Sequence, residues 1–309
     1  MEPRRDPHSH LPPALSHHRN PGDAWVYNAD GERFWGRFGA AGLLAVHPRK
    51  GVLLQHRAQW SHHGGTWGIP GGALHEDEAP LAGALREAQE EAGIAPRDVR
   101  PRTSSQLDKE VWTYTTVIAD ASDTLEPRMM DAESIQLRWT PVDEVGLMPL
   151  HPAFARSWPG LVEAVRTRPR IIVDLANVMG SVPDGWWRDR AAAASRWIAQ
   201  ITDAVPHGVA AEDLTLTGHR WFPQWTAVVE GKARQTAGTD QVEVVAAPSS
   251  GDDAVVQQAA ESTARGERCW VVTSDRELQG RARDAGASAL SAGWLLKVLG
   301  TPSSPPLHG

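Results

Sequence analysis

The chain has 309 residues, 41% of them hydrophobic, a formal net charge of −7 and a single cysteine. That length points to two domains, each apolar enough to build its own core. A negative balance argues against indiscriminate, salt-driven nucleic-acid binding, one thiol excludes an internal disulfide framework and suits a reducing cytoplasm, and without a secretory h-region or an apolar run of about 18 residues neither export nor a membrane span is expected.

Residues 1–22, rich in Pro, His and Arg without apolar periodicity, read as a disordered arm. Its His8, His10, His17 and His18 fit a polar tail better than a ligand set. Further on, FGAAGLLAVH and VLLQHR flank a Pro-Arg-Lys-Gly turn and predict two strands. The loop Ser61-His62-His63-Gly64-Gly65 follows; His62 and His63 could line a pocket, and exposed loop histidines are the plainer reading.

The chain is organised around residues 72–94, GALHEDEAPLAGALREAQEEAGI. Pro80 suits a first helical position, where its missing N–H has no partner to lose. Leu81 to Ala92 is rich in strong helix formers, and Gly93 suits the left-handed residue just past the end. On that helix Glu87, Glu90 and Glu91 stand at i, i+3 and i+4 and share one face. Three carboxylates this close stay ionised together most easily around a divalent cation, and all-oxygen ligation favours Mg2+ or Mn2+ over zinc. Arg86, four residues before Glu90, can orient it. The plain alternative is a solvated acidic face.

Beyond the helix, Glu110 to Ala119 alternates and predicts a strand. Residues 121–132 read as loop, Glu133 to Gly146 as a strand and a helix start, and 151–166 as a closing helix packed on the sheet. The basic run RTRPR at 166–170 reads as a linker. Strands are then expected at Ile171–Asp174, Leu214–Thr217, Ala227–Glu230, Val242–Ala246 and Cys269–Thr273, and helices at 191–205, 250–265, 276–285 and 292–299. Such alternation predicts a mainly parallel α/β sheet, and Cys269, inside an apolar run, reads as a buried structural thiol. Residues 301–309 form a Pro/Ser tail.

Ligands of parallel sheets bind at the carboxyl ends of the strands, where Asp174 and Asp275 fall; Asp252 and Asp253 open a helix that can face them. Converging, Asp174, Asn177, Asp253 and Asp275 would form an all-oxygen Mg2+ site able to activate water against a phosphodiester. Of the adjacent pair, Asp253 is the one expected to point inward. Turn and helix capping explains aspartates at these places equally well. Between residues 170 and 300 there are 13 Lys+Arg against 16 Asp+Glu, whereas a nuclease usually offers a positive groove. Arg188, Arg190, Arg220, Lys232 and Arg234, with Trp186, Trp187, Trp221 and Trp225 as stacking surfaces, are the local candidates for one.

The spacing of Gly72, Glu78, Arg86, Glu87, Glu90, Glu91, Gly93 and Ile94 resembles the signature box of the Nudix hydrolases, with Ala88 a small residue where that family usually carries a larger aliphatic. The approach Trp67-Gly68-Ile69-Pro70-Gly71-Gly72 is similar to that of MutT-like members. The resemblance implies a Nudix α/β/α sandwich with a mixed sheet over 23–166. It also implies an Mg2+- or Mn2+-dependent pyrophosphohydrolase that cleaves a nucleoside di- or triphosphate derivative by water attack on phosphorus. Glu87, Glu90 and Glu91 would hold the metal, a carbonyl near Gly71 or Gly72 would complete its shell, and Arg57 would lie near the phosphates. Glu133 becomes a candidate for metal binding or water activation, while Glu78 and Arg86 tie loop to helix. The pieces VDLANV, GDDAVV and VVTSDREL resemble the PIN-like superfamily, especially its NYN branch. That implies a PIN-like α/β domain over 167–300, with metal at Asp174, Asp253 and Asp275 and a metal-dependent ribonuclease activity on RNA. The alternative is a catalytically silent module that binds RNA or a protein.

Overall fold

The computed structural model describes residues 22–183 and 185–300. The arm at 1–22 apart from Gly22, its four histidines and the tail at 301–309 lie outside the described residues. The chain divides into two compact units with the break between Arg166 and Thr167; Thr217–His219 goes with the first.

In chain order the first unit holds β1 (Trp25–Tyr27), β2 (Arg33–Trp35), β3 (Ala40–His47), β4 (Gly51–Arg57), β5 (Trp67–Gly68), β6 (Gly71–Ala73), α1 (Pro80–Ala92), β7 (Val99–Asp108), β8 (Thr113–Ala121), β9 (Ser134–Thr140) and α2 (Pro152–Arg166). β1 and β2 pair as a separate antiparallel hairpin. β3 lies central, parallel to β8 and antiparallel to β4 and β6, while β4 also pairs antiparallel with β5 and β9. The sheet is therefore mixed. Every residue of β3 is buried, as befits a strand covered on both faces, which reads as a continuous apolar run rather than an alternation.

α1 presents Ala84, Ala88 and Ala92, all fully buried, at i, i+4 and i+8 to a core that includes Ala41, Leu43, Ala45, Val117 and Ala119. Ala88 thus belongs to a stripe of small residues that seats the helix close to the sheet. Ala79 is extended before Pro80, and Gly93 ends the helix at φ 66°, donating to the Gln89 carbonyl while Ile94 donates to that of Ala88. The strand expected at 110–119 begins at Thr113, because Glu110 takes a positive φ in the turn before it. Its partner β7 was not foreseen: VRPRTSSQLD is polar and carries Pro101, beside which the register shifts.

The second unit holds β10 (Pro169–Asp174), α3 (Leu175–Gly180), α4 (Arg190–Ala204), β11 (Val209–Ala210), β12 (Arg220–Trp221), β13 (Gln224–Val229), β14 (Val242–Ala246), α5 (Gly251–Ala264), β15 (Arg268–Val272), α6 (Arg276–Asp284), β16 (Ser288–Leu290) and α7 (Ala292–Gly300). Five strands form one sheet in the order β14-β13-β10-β15-β16, and every pairing in it is parallel. β13 and β14 lie on one side of β10 and the later β15 and β16 on the other, so the strand order switches there. Leu214–Thr217 is not a strand. Ala211–Leu214 is a 3-10 turn that Thr215 closes in the left-handed region, and its apolar residues point to the core from a turn rather than from a pleat. Trp221 and Trp225 are buried in the core and offer no stacking surface, whereas Trp187 is exposed. Cys269 is buried as expected, and burial pushes its thiol up to about 12.

Candidate active site

The box residues assemble where β6 runs into the loop before α1. Arg86 is the hub. Its Nε and Nη2 donate to the two Glu78 oxygens at 2.8 and 2.9 Å, Nη1 donates to Glu87 at 2.7 Å and Glu90 at 3.2 Å, and Nη2 reaches the Ala73 carbonyl at 3.0 Å. This planar fork clamps the loop to the helix and aims Glu87, a task a lysine point charge cannot reproduce. The Glu78 contact drives the Arg86 pKa upward, and Arg86 in turn holds Glu78 below the usual carboxylate range. Gly72 lets the Glu87 carboxylate approach the backbone, since a Cβ there would fall 2.7 Å from its Cδ.

Glu91 lies deepest, 7% exposed. Its Oε2 accepts from the Gly71 amide and from Gln55 Nε2, each at 3.1 Å. Burial raises its pKa well above the usual range, and the neighbouring Glu87, Asp131 and Glu133 charges add to that. Burial also raises Glu87 and Glu133. Burial raises Asp131 as well, and Arg57 is the counter-charge that opposes the rise at both Asp131 and Glu133; its Nε donates to the His62 carbonyl at 3.2 Å. Glu90 is exposed and engaged by Arg86.

The donor set suits a hard divalent cation. The carboxylates repel one another around a buried Glu91, every nearby donor is oxygen, and the buried Gln55 Oε1 has no hydrogen-bond partner. Glu87, Glu90 and Glu91 with a carbonyl at Gly71 or Gly72 are the residues that would hold it.

Comparison with known proteins gives the family of the first unit. A model of the NUDIX domain matches residues 36–159. A Mycobacterium tuberculosis protein named "Putative 8-oxo-dGTP diphosphatase 3" is 47% identical over 169 residues, spanning 51% of this chain and 77% of that protein. This chain belongs to the Nudix family. It is a Nudix-type hydrolase. A Bifidobacterium longum nucleoside triphosphate pyrophosphatase/Nudix hydrolase fusion protein is 45% identical over 157 residues, covering 48% of this chain and 32% of that protein. Among solved structures, the Nudix hydrolase RenU from M. smegmatis is 48% identical and is covered over 94% of its length, with 46% of this chain and a TM-score of 0.43.

Sequence reasoning missed three residues of the Nudix site. Gln55 sits on β4 among apolar neighbours, fully buried and also donating to Ser134 Oγ at 2.7 Å; a Gln inside LLQHR was the available signal. Asp131 lies in what reads as a polar loop, where one more acid carries no signal. Burial raises the Tyr114 phenol, and the Glu91 charge pushes the same way. The exposed His62 and His63 meet His151, which precedes α2. Burial, with Arg57 next, lowers the His151 pKa to about 4.

In the second unit the acids gather at the carboxyl ends of the parallel strands, with one exchange. Asp174, 7% exposed, accepts from the Asn177 amide at 3.1 Å and from Thr273 Oγ1 at 3.0 Å. Asn177 Oδ1 accepts from the Ser274 amide at 2.8 Å, and Asp275 caps α6 through the Leu278 amide at 2.9 Å. Asp253, expected to face inward, instead pairs with Arg281. Helix geometry turns neighbouring side chains about 100° apart, so Asp252 is the one that faces Asp275 and Glu230; burial raises the Asp174 pKa and the Asp252 charge adds to it. Glu230, unforeseen, accepts from the Gly251 amide at 2.9 Å and completes the acidic group. Among the described residues no helix is long and apolar enough to cross a membrane.

Proposed function

We propose that the Nudix domain, taken as residues 23–166, hydrolyses the anhydride of a nucleoside triphosphate in an Mg2+- or Mn2+-dependent reaction. The observation that carries this is the buried Glu91 carboxylate, ringed by Glu87, Asp131 and Glu133, with Arg57 opposing the charge of Asp131 and Glu133. The name of the M. tuberculosis relative makes 8-oxo-dGTP the first substrate to test. A cation bound by Glu87, Glu90 and Glu91 would neutralise the diphosphate oxygens and activate water. The water oxygen attacks phosphorus, the bridging P–O bond breaks, and the water's proton passes to a carboxylate whose affinity for it burial has raised. Glu133 is the best placed, since it adjoins the group without being clamped by Arg86. Arg57 would bind a phosphate oxygen, and Arg86 keeps Glu87 in place. The test is product release from dNTPs, 8-oxo-dGTP, ADP-ribose, NAD(H) and diadenosine polyphosphates, beside Glu91→Gln. A preference for a triphosphate that disappears in the variant supports the reading; turnover equal in both proteins ends it.

For the second domain, taken as residues 167–300, we propose a PIN-like (NYN-type) fold and a metal-dependent action on RNA. Four acids, Asp174, Glu230, Asp252 and Asp275, at the carboxyl ends of a parallel sheet support it. Asp252 replaces Asp253 in the proposed metal set, because Arg281 holds Asp253. Cleavage of single-stranded RNA by wild type, lost in both Asp174→Asn and Asp252→Asn, is the expected result. Binding of RNA without cleavage, unchanged in both variants, would make the domain a silent module. A reducing cytoplasm is the compartment proposed for both domains, on the single buried thiol.

A further inference from the structure

We infer that His62, His63 and His151 form a further metal site, one that takes a borderline transition ion such as Zn2+ and not Mg2+. It goes beyond the hydrolase reading and does not depend on it. One ligand atom from each ring lies within 4.8 Å of the others. Ring centroids are 4.1 Å apart for His62–His63, 4.8 Å for His63–His151 and 6.4 Å for His62–His151. With Zn–N bonds of about 2.0–2.1 Å, tetrahedral ligation sets imidazole centroids roughly 5 Å apart, so small ring rotations bring all three onto one ion. Three imidazoles and one open position are a donor set that zinc and its neighbours in the transition series prefer and that Mg2+ disfavours.

The backbone holds the group ready. Residues 58–66 fold into a tight loop through Ser61 Oγ to the Ala58 carbonyl at 2.8 Å, the Gly64 amide to Ser61 at 2.9 Å, and Thr66 Oγ1 to the His63 carbonyl at 2.6 Å. His63 itself sits at φ 55°, a left-handed conformation uncommon for a residue with a Cβ and often found where side chains are aimed for a task. The segment before α2 is brought to this loop by β5, since the Trp67 amide donates to Pro149 and the His151 amide to Trp67 at 2.9 and 2.7 Å. His151 Nδ1 accepts from the Ala153 amide at 3.2 Å. Ligation at either ring nitrogen ends that contact, a long hydrogen bond set against three metal–nitrogen bonds. The Arg57 guanidinium binds the His62 carbonyl, so a metal here would also stiffen the loop that steadies Arg57.

Full-length protein stripped by chelator is titrated with Co2+ in excess Mg2+, and the visible d–d absorption of tetrahedral cobalt is followed. Wild type should bind one equivalent, displaced by Zn2+. His62→Ala, His63→Ala and His151→Gln should each weaken Co2+ binding at least tenfold with unchanged circular dichroism, while Glu91→Gln binds as wild type does. Zn2+ should raise the melting temperature of wild type and not of His63→Ala. The inference is overturned if wild type shows no tetrahedral absorption, if the triple histidine variant keeps it, or if it is lost with Glu91→Gln. It is overturned equally if replacing His8, His10, His17 and His18 removes the signal while the triad is intact.

Discussion

Replacing Glu91 by Gln should move stability and activity in opposite directions. In the wild-type fold the carboxylate is 7% exposed and its pKa stands well above the usual range. A tenfold rise in proton affinity on folding destabilises the folded protein by about 1.4 kcal/mol at a pH where the group is ionised. Gln keeps the shape and an acceptor for the Gly71 amide and Gln55 Nε2 but carries no charge. The metal-free variant should therefore be more stable and melt higher at pH 8, by about 1.4 kcal/mol for each tenfold rise in proton affinity. The sign follows from a raised carboxylate pKa. Below the unfolded-state value of about 4.3 both states are protonated and the penalty is absent; it grows as pH rises toward the folded value and is complete above it. The gain should thus vanish near pH 4. Loss of a metal-holding carboxylate removes several kcal/mol of transition-state charge stabilisation, so activity should fall about 10²–10³-fold. Scanning calorimetry with EDTA at the two pH values, with turnover in Mg2+, reads both effects. A variant that melts lower than wild type in EDTA at pH 8 would refute the electrostatic account, and one that keeps full activity would refute the site.

Gly72→Ala puts a Cβ 2.7 Å from the Glu87 Cδ; with Glu87 held by Arg86 the carboxylate must swing away, and turnover should fall on the order of 10-fold to 10²-fold with a weaker Mn2+ affinity in an electron-paramagnetic titration. Glu267 is held below the usual carboxylate range, despite burial, by its Arg170 partner at 2.7 Å. Its stabilisation is present at neutral pH and lost as pH falls through its folded pKa, so Glu267→Gln should cost about 1 kcal/mol at pH 7 and little in strong acid, read as denaturant midpoints of the second unit. Cys269, buried and pushed to about 12, should react with a thiol reagent in native protein only at the rate of unfolding and at once in guanidinium; stoichiometric labelling of the native state would contradict its placement.

Much of this protein is local enough to be read from spacing. Helix α1, its Pro80 start and its Gly93 stop follow from backbone rules spanning a few residues, and the common face of Glu87, Glu90 and Glu91 follows from helical period alone. The parallel sheet of the second unit was legible for the same reason, since buried apolar runs alternate with amphipathic helices. Strand β7 was not, because its polar residues and Pro101 hide a strand that exists only through pairing with β8. Leu214–Thr217 failed in the opposite way, its apolar residues being buried from a turn.

Residue types and their spacing determined the box, its helix and the all-oxygen character of the proposed metal site, since each depends on neighbours within one or two turns of chain. Only the tertiary structure decided that Gln55 from β4 and Asp131 from a loop surround Glu91, that Asp252 rather than Asp253 faces Asp174, and that His151 meets His62 and His63 from across the unit. Those groupings bring together residues about 40 to 90 positions apart, or turn on which way one side chain points from a helix. Such choices are made by burial and charge in the assembled core, where the low dielectric makes each one matter.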